Sequence, residues 1–236
     1  LYYDAAGPVI SANVSGTVTQ MPELKGDIYD AGAGVDYASL SAAYTYNGGT
    51  ENPLTFHKNP TATDNKWELD SPTNGEGRYK ITLTAKDTLG NTATKELEFI
   101  YDSANPAITS VNTKTRDDLK KTPTIIGGAV DSDSKHYIDI SGSITEANGI
   151  KSITVDGSDV DITGTSPHYA FTYRLKKDTD WSSTSPVAIV VTDNADKTDR
   201  IDLNVTIDTE VPAFTLMTVG DTENITSFPI PPAPAT

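Results

Sequence analysis

One phrase occurs three times in this chain, and its spacing restricts the fold more than any other feature. It reads Tyr3 and Asp4, three residues, then Pro8, Val9 and Ile10. It returns as Tyr101 and Asp102, three residues, then Pro106, Ala107 and Ile108, and again as Ile207 and Asp208, three residues, then Pro212, Ala213 and Phe214. Asp4 and Asp102 are 98 residues apart, and Asp102 and Asp208 are 106 apart. Solenoid repeats of roughly 20–50 residues bury a core only by stacking on their neighbours, whereas a period near 100 residues leaves each copy enough chain for a core of its own. The phrase therefore divides the chain into units 1–102 and 103–208, with 209–236 as the start of a third repeat or a proline-rich extended tail.

Landmarks inside the two units agree with that division. Lys25 to Val35 corresponds to Ser141 to Ile150, one residue shorter in the turn, and Ile81 to Asn91 corresponds to Val187 to Lys197. From Asp87 to Asp102 is 15 residues, as is from Asp193 to Asp208, so the last hairpin keeps one register in both copies. The local pattern is strand: Tyr79, Ile81, Leu83 and Ala85, then Leu97, Phe99 and Tyr101, then Ile201, Leu203, Val205 and Ile207 all alternate with polar neighbours at period two. Asn47 with Gly48, Asp156 with Gly157 and the Gly75 to Gly77 stretch supply turns. A single helical turn near Arg116 to Lys121 is the exception, and the chain reads as all-β. With strands lettered A to G, A follows the proline, B ends at Asp30 or Glu146, C begins at Val35 or Ile150, and F and G flank the Asp87 or Asp193 turn. The outer strands are read at Leu54 to Phe56 and Lys66 to Leu69, and at Val160 to Thr163 and Tyr169 to Leu175. Trp67 and Trp181 read as core or edge filler.

Composition narrows the partners. There is no cysteine, which excludes a disulfide framework and thiolate metal sites, so any sandwich must hold by packing alone. Eighteen basic residues against 33 acids give a net charge of −15, which repels nucleic acid and anionic membrane and favours cations or neutral partners. No run approaches the roughly 20 apolar residues of a membrane helix. The chain opens in mid-pattern without a methionine or a basic, apolar leader, and is read as a fragment whose signal and anchor lie elsewhere.

The Asp-x-x-x-Pro-x-Ile boundary at 102–108, the acidic-Ala-x-Gly-Ile turn at 146–150 and the Asp-x-x-Gly-Asn turn at 87–91 resemble the bacterial immunoglobulin-like (Big-type) tandem repeats of surface and secreted proteins. The resemblance covers residues 4 to about 216. It implies tandem immunoglobulin-like β-sandwiches arranged end to end, serving as spacers or binding modules of adhesins, cell-wall proteins and multidomain enzymes, with no catalysis of their own. In the second copy Asp196 and Lys197 stand where Gly90 and Asn91 fill the last turn, a departure that puts an identical turn geometry in question.

Catalysis finds little support in the residues. The three histidines, His57, His136 and His168, sit among polar loop and strand-edge residues, with no nucleophile elbow, HExxH or phosphate-cradling glycine loop nearby. Asp131, Ser132 and Asp133 read as a solvated loop, because the glycine and distal glutamate of an EF-hand are missing. One acidic constellation recurs. In an immunoglobulin-like sandwich the N-terminus, the B–C turn and the F–G turn share one end. Those places carry Asp4, Asp30 and Asp87 in the first unit and Asp102, Glu146 and Asp193 in the second. Oxygen ligands converging from three loops suit Ca²⁺, which takes six to eight of them. The competing reading is that each acid accepts hydrogen bonds from its own turn and needs no metal.

Only three residues separate Asp102 from the φ-restricted Pro106, too few for a free hinge, so a semi-rigid array is expected. The function that follows is a non-catalytic extracellular stalk or adhesive module at the bacterial cell surface. It would be monomeric, partnered by neighbouring repeats and by a host or cell-surface protein or glycan, with no nucleic acid, no membrane insertion and no required cofactor, Ca²⁺ being the one ion its acidic turns could take. The alternative is a carbohydrate-binding accessory module of a secreted enzyme, for which 11 tyrosines, Tyr37, Tyr44 and Tyr46 among them, leave room.

Overall fold

A computed structural model describes residues 4–12 and 14–211. Residues 209–211 form no strand, and the rest of the expected third repeat or tail, 212–236, lies outside the described residues. The chain is all-β apart from one short helix, α1 (Arg116–Lys121), which stands where the single helical turn was expected. A capping box starts it: the Thr115 hydroxyl accepts from the Asp118 amide while the Asp118 carboxylate accepts from the Thr115 backbone.

The buried apolar side chains form two clusters, one drawn from residues between Ile10 and Phe99, the other from residues between Ile108 and Ile207. Around the first lie β1 (Val9–Ile10), β2 (Gly16–Val18), β3 (Leu24–Tyr29), β4 (Val35–Tyr46), β5 (Asn52–Leu54), β6 (Phe56–Lys58), β7 (Lys66–Leu69), β8 (Gly77–Asp87) and β9 (Thr92–Tyr101). They form two sheets, β1-β3-β7-β6 and β2-β9-β8-β4-β5. Lettered, these are A-B-E-D facing A′-G-F-C-C′, the immunoglobulin-like arrangement. Around the second cluster lie β10 (Ala107–Val111), β11 (Lys114–Thr115), β12 (Thr124–Gly127), β13 (Ala129–Val130), β14 (His136–Thr145), β15 (Ile150–Val155), β16 (Ser158–Asp159), β17 (Ile162–Thr165), β18 (His168–Lys177), β19 (Trp181–Ser182), β20 (Val187–Asp193) and β21 (Thr198–Ile207). The order β10-β14-β18-β17 facing β12-β21-β20-β15-β16 repeats the plan. In both units the A′ strand runs parallel to G, β2 beside β9 and β12 beside β21.

Strand C begins at Val35 and Ile150 and strands F and G flank the Asp87 and Asp193 turns, as the residue pattern puts them, strand B ends at Tyr29 and Thr145, one residue short of Asp30 and Glu146, and the outer strands agree less closely. The expected Leu54 to Phe56 strand is broken at Thr55, with Leu54 ending C′ and Phe56 starting D, and the expected Val160 to Thr163 strand runs instead as Ile162–Thr165. These edge segments have few apolar positions to set their ends.

The two cores share a packing device. Gly26 of strand B lies directly opposite Trp67 of strand E, and Gly142 lies opposite Phe171 in the other unit. Both rings are buried. A Cβ on Gly26 would collide with the Ser11 carbonyl oxygen of the neighbouring A-strand segment and come within 2.7 Å of Trp67 Cζ2. One on Gly142 would collide with Cε1 of Phe171, 2.6 Å from Cζ and 3.0 Å from the Ser110 carbonyl oxygen. Each glycine is a notch that lets a large ring lie across strand B. Trp67 is thus a core residue, whereas Trp181 is half-buried against its core with the Lys177 ammonium 4.3 Å above its ring.

Tyrosines fix the lower end of the first core. Tyr79 stacks on Phe99 with ring centroids 5.1 Å apart, and Tyr46 and Tyr44 pack on Tyr79 at 5.2 Å and 6.3 Å. Their hydroxyls reach the loop before strand F: Tyr79 donates to the Gly75 carbonyl, Tyr46 to the Glu76 carbonyl and Tyr44 to Asn74 Oδ1, each at 2.6 Å. Burial pushes the Tyr79 phenol up to about 12.

The notch makes a specific prediction. Alanine at an ordinary extended glycine should stabilise slightly by restricting the unfolded chain. At Gly26 and Gly142 the collision reverses the sign, so Gly26→Ala and Gly142→Ala should each cost about 1–3 kcal/mol in urea unfolding, with Gly75→Ala, whose surroundings are open, as the neutral control.

Candidate metal centre

Strand F brings an acid into the core row. Along β8 the buried face reads Tyr79, Ile81, Leu83, Ala85 and then Asp87, and along β20 it reads Val187, Ile189, Val191 and then Asp193. Asp87 is 1% exposed and Asp193 0%, so each carboxylate must be satisfied from within. Both cap their own turn in the same way. Asp87 Oδ1 accepts from the Leu89 and Asn91 amides at 2.9 Å and 2.8 Å, and Asp193 Oδ1 accepts from the Ala195 and Lys197 amides at 2.8 Å and 2.9 Å. The backbone bonds also agree, Gly90 N to Asp87 O at 3.1 Å and Asp196 N to Asp193 O at 3.2 Å. Gly90 and Asp196 both have positive φ, +93° and +62°. The substitution of Gly90 and Asn91 by Asp196 and Lys197 therefore leaves the turn geometry intact, because aspartate tolerates the left-handed region.

The three loops are laced together at this end. In the first unit Thr88 donates its amide to the Gly34 carbonyl and its hydroxyl to the Ala33 carbonyl. In the second, Asn194 donates its amide to the Gly149 carbonyl and its side-chain nitrogen to the Asn148 carbonyl. Asp30 Oδ1 accepts from the Gly32 and Gly34 amides, and Glu146 Oε1 from the Asn148 amide. Asp4 joins strand A to the knot, Oδ1 accepting from the Ala6 amide and Oδ2 from the Ala33 amide at 2.7 Å.

In the first unit Asp4, Asp30 and Asp87 each direct a carboxylate oxygen into a common space, with those oxygens within 4.8 Å of one another. Turn capping and convergence thus hold together. Burial acts to push the Asp87 carboxyl up, but the Asn91 side chain at 2.6 Å and the Asn91, Leu89 and Gly90 amides outweigh it and hold the group below the ordinary carboxylate range. The oxygens are hard, anionic and drawn from three segments, a donor set suited to a hard divalent cation, with carbonyls and waters free to complete the shell.

The second unit brings Asp102, Glu146 and Asp193 to the same end, all buried, with a difference no single landmark disclosed. The Lys197 ammonium stands among them, 2.5 Å from Asp102 Oδ1, 2.8 Å from the Asp102 carbonyl oxygen and 3.7 Å from Asp193 Oδ2. Asp102 Oδ2 and Asp193 Oδ2 are buried and find no hydrogen-bond partner among the described residues. Burial, followed by the Asp102 and Asp193 charges, pushes the Glu146 carboxyl up against the opposing pull of the Asn148 amide and Lys197.

Elsewhere the polar side chains do structural work. His136 Nδ1 lies 2.6 Å from Asp180 Oδ1 and 3.0 Å from the Thr209 hydroxyl. A hydroxyl–imidazole–carboxylate relay needs its two partners on opposite ring nitrogens, and here both meet the same one. His57 pairs with Glu68 and Asp70 at the surface. In the Asp131 loop Ser132 and Asp133 are exposed, as expected, but the Asp131 side chain is only 12% exposed: Oδ1 accepts from the Asp133 and Lys135 amides, and the Lys176 ammonium at 2.7 Å, first among the causes, holds that carboxyl down to about 2. Tyr44 and Tyr46, candidates for a glycan platform, are committed to the first core.

No protein-family model matches the chain, and no curated protein matches it. Among solved structures it is similar to CopC from Methylosinus trichosporium OB3b, at 19% identity and a TM-score of 0.32 over 40% of this chain and 93% of that one. It is also similar to SGBP-B of the Bacteroides ovatus mixed-linkage glucan utilization locus, solved in complex with a mixed-linkage heptasaccharide, at 12% identity and a TM-score of 0.26 over 84% of this chain and 47% of that one. A third similarity is to the N-terminal Ig1-2 module of the Drosophila receptor protein tyrosine phosphatase DLAR, at 11% identity and a TM-score of 0.26 over 85% of this chain and 98% of that one. No helix among the described residues is long and apolar enough to cross a membrane.

Because Glu146 ionises less readily in the fold than in the unfolded chain, its ionised form opposes folding, and stability recovers as pH falls through the raised native value toward the unfolded one. Glu146→Gln keeps the acceptor for the Asn148 amide and removes the charge. It should be more stable than wild type in urea at pH 7, with the gain shrinking toward pH 4; a gain that is equal at both values would refute the electrostatic origin.

Proposed function

We propose that the chain is a non-catalytic structural module of an extracellular bacterial surface protein, a spacer or adhesive stalk built from serial immunoglobulin-like sandwiches, and that Asp4, Asp30 and Asp87 bind Ca²⁺. The observation that carries this reading is the recurrence of one polar knot at the head of each sandwich, where the F–G turn is tied by equivalent hydrogen bonds to the linker aspartate and to the B–C turn. The other end of the joint between the units is tied too: Glu76 Oε1 accepts from the Ser103 amide at 2.7 Å and from the Ser103 hydroxyl and Ala104 amide at 2.5 Å. Ser103 Oγ, ahead of the two amides, holds the Glu76 carboxyl below its ordinary range despite partial burial. Calcium fits the first knot because three mutually repelling carboxylates meet there, and a divalent ion removes that repulsion while cross-linking three segments.

Two measurements test these claims separately. A compact 236-residue particle would have a radius of gyration of about 18 Å. Small-angle scattering should give a clearly larger value with two-lobed character, and a value near 18 Å would remove the spacer reading. Extracellular calcium modules have dissociation constants of roughly 10⁻⁴–10⁻³ M. Thermal unfolding in 10 mM Ca²⁺ against chelator should therefore show stabilisation of up to about 2.7 kcal/mol, and Asp87→Asn should lose it. An unchanged melting temperature would leave turn capping as the whole role of the three acids.

A further inference from the structure

The two knots are built alike and charged differently. In the first, the residue four after the strand F aspartate is Asn91; in the second it is Lys197. Asn91 Nδ2 donates to the Asp4 carbonyl oxygen at 3.2 Å, and Lys197 Nζ donates to the equivalent Asp102 carbonyl oxygen at 2.8 Å. The neutral amide and the ammonium thus reach the same backbone acceptor, and only the lysine brings a positive charge. It reaches further, to Asp102 Oδ1 and toward Asp193 Oδ2, which places the ammonium between the carboxylates of two segments. The lysine side chain is only 15% exposed, and the carboxylates it meets are fully buried. Asp102 Oδ2 and Asp193 Oδ2 meanwhile remain buried without hydrogen-bond partners among the described residues, so the ammonium beside them is the counter-charge on which these two carboxylates depend.

We infer that Lys197 is a built-in cation that takes the place of the metal in the second knot, so that Ca²⁺ occupies the Asp4, Asp30 and Asp87 knot and is excluded from the Asp102, Glu146 and Asp193 knot. The inference rests on the calcium reading only for what it says of the first knot; the exclusion at the second stands on the lysine's own geometry. A tethered ammonium supplies one charge at no cost in translational freedom and at any calcium concentration, whereas a divalent ion supplies two and leaves when calcium falls. The head of the second unit is therefore tied at all calcium levels, and the head of the first unit is tied by calcium. Exchanging asparagine and lysine at one turn position chooses between a permanent and a conditional tie.

The test is a Ca²⁺ titration of the full 236-residue chain followed by ¹H–¹⁵N correlation spectra, in wild type, Lys197→Asn and Asn91→Lys. In wild type the amides of residues 30–34 and 88–91 should move and those of 146–150 and 194–197 should stay. In Lys197→Asn both sets should move, and in Asn91→Lys neither. Movement of the second set in wild type, or its failure to move in a folded Lys197→Asn, overturns the inference. If the first set stays still in wild type, the calcium reading of that knot fails, and Lys197→Asn still decides the exclusion. Should Lys197→Asn not fold in either calcium or chelator, Asn91→Lys decides alone: it should melt about 4 °C or more above wild type in chelator, and no rise would overturn the inference.

Discussion

Without a disulfide, each sandwich is held shut by its buried apolar cluster, and within one sheet of each unit that cluster is organised by the fit of one aromatic ring over one missing side chain. Trp67 over Gly26 and Phe171 over Gly142 join strand E to strand B, and the ring reaches across to strand A, whose carbonyl oxygens at Ser11 and Ser110 stand within van der Waals distance of the notch. A strand pair whose register shifted by one residue would turn the ring to the other face of the sheet, so this contact also sets which residues of strands B and E face inward. The rest of the core follows from that choice. Ile28 and Ile144 stand two residues beyond the notches on the same strands and are buried, and the alternating faces of strands F and G close over them.

That alternation is what carries an acid to the core edge. Asp87 and Asp193 occupy the inward parity of strand F, one step past Ala85 and Val191, so neither can turn to water without breaking the row. A buried carboxylate must be repaid in hydrogen bonds, and the turn amides supply them. Once the aspartate is fixed, the Thr88 or Asn194 bridge draws the B–C turn to it and Asn91 or Lys197 draws in the linker aspartate, so that negative charge gathers at the head of each unit. Each unit then needs a positive counterpart. The second carries its own in Lys197; the first has only the neutral Asn91 among its laced residues, which is why the two heads of an otherwise repeated structure have different chemistry.

Much of this was legible in the residues. The thrice-repeated proline phrase marked the head of each unit, the period-two runs marked strands F and G, the acidic turns marked the B–C boundary, and the acids stand at corresponding turn positions in both copies. The inward parity of Asp87 with Ile81, Leu83 and Ala85 was present in the sequence as well, and would have marked it as a buried acid rather than a surface turn residue. The outer strands were legible only roughly, since Thr55 and the Val160 to Thr165 stretch lack an apolar pattern strong enough to place a strand end. The pairing of Gly26 with Trp67 and of Gly142 with Phe171 was hidden, because the partners are 41 and 29 residues apart, respectively, and nothing in either local pattern refers to the other.

What the sequence alone determined is therefore whatever depends on neighbours along the chain: strand identity, turn chemistry and the repeat period, all of which arise from backbone preferences and side-chain alternation within a few residues. What only the tertiary structure decided is which charges meet. Lys197 sits four residues from Asp193 and could equally have pointed to solvent. It became a counter-ion to Asp102, 95 residues away, because the closed sandwich brings the two within 2.5 Å and leaves the ammonium no better partner than the carboxylate it faces. Electrostatic energy depends on distance through space and on the exclusion of water, and neither quantity is defined until the chain has packed.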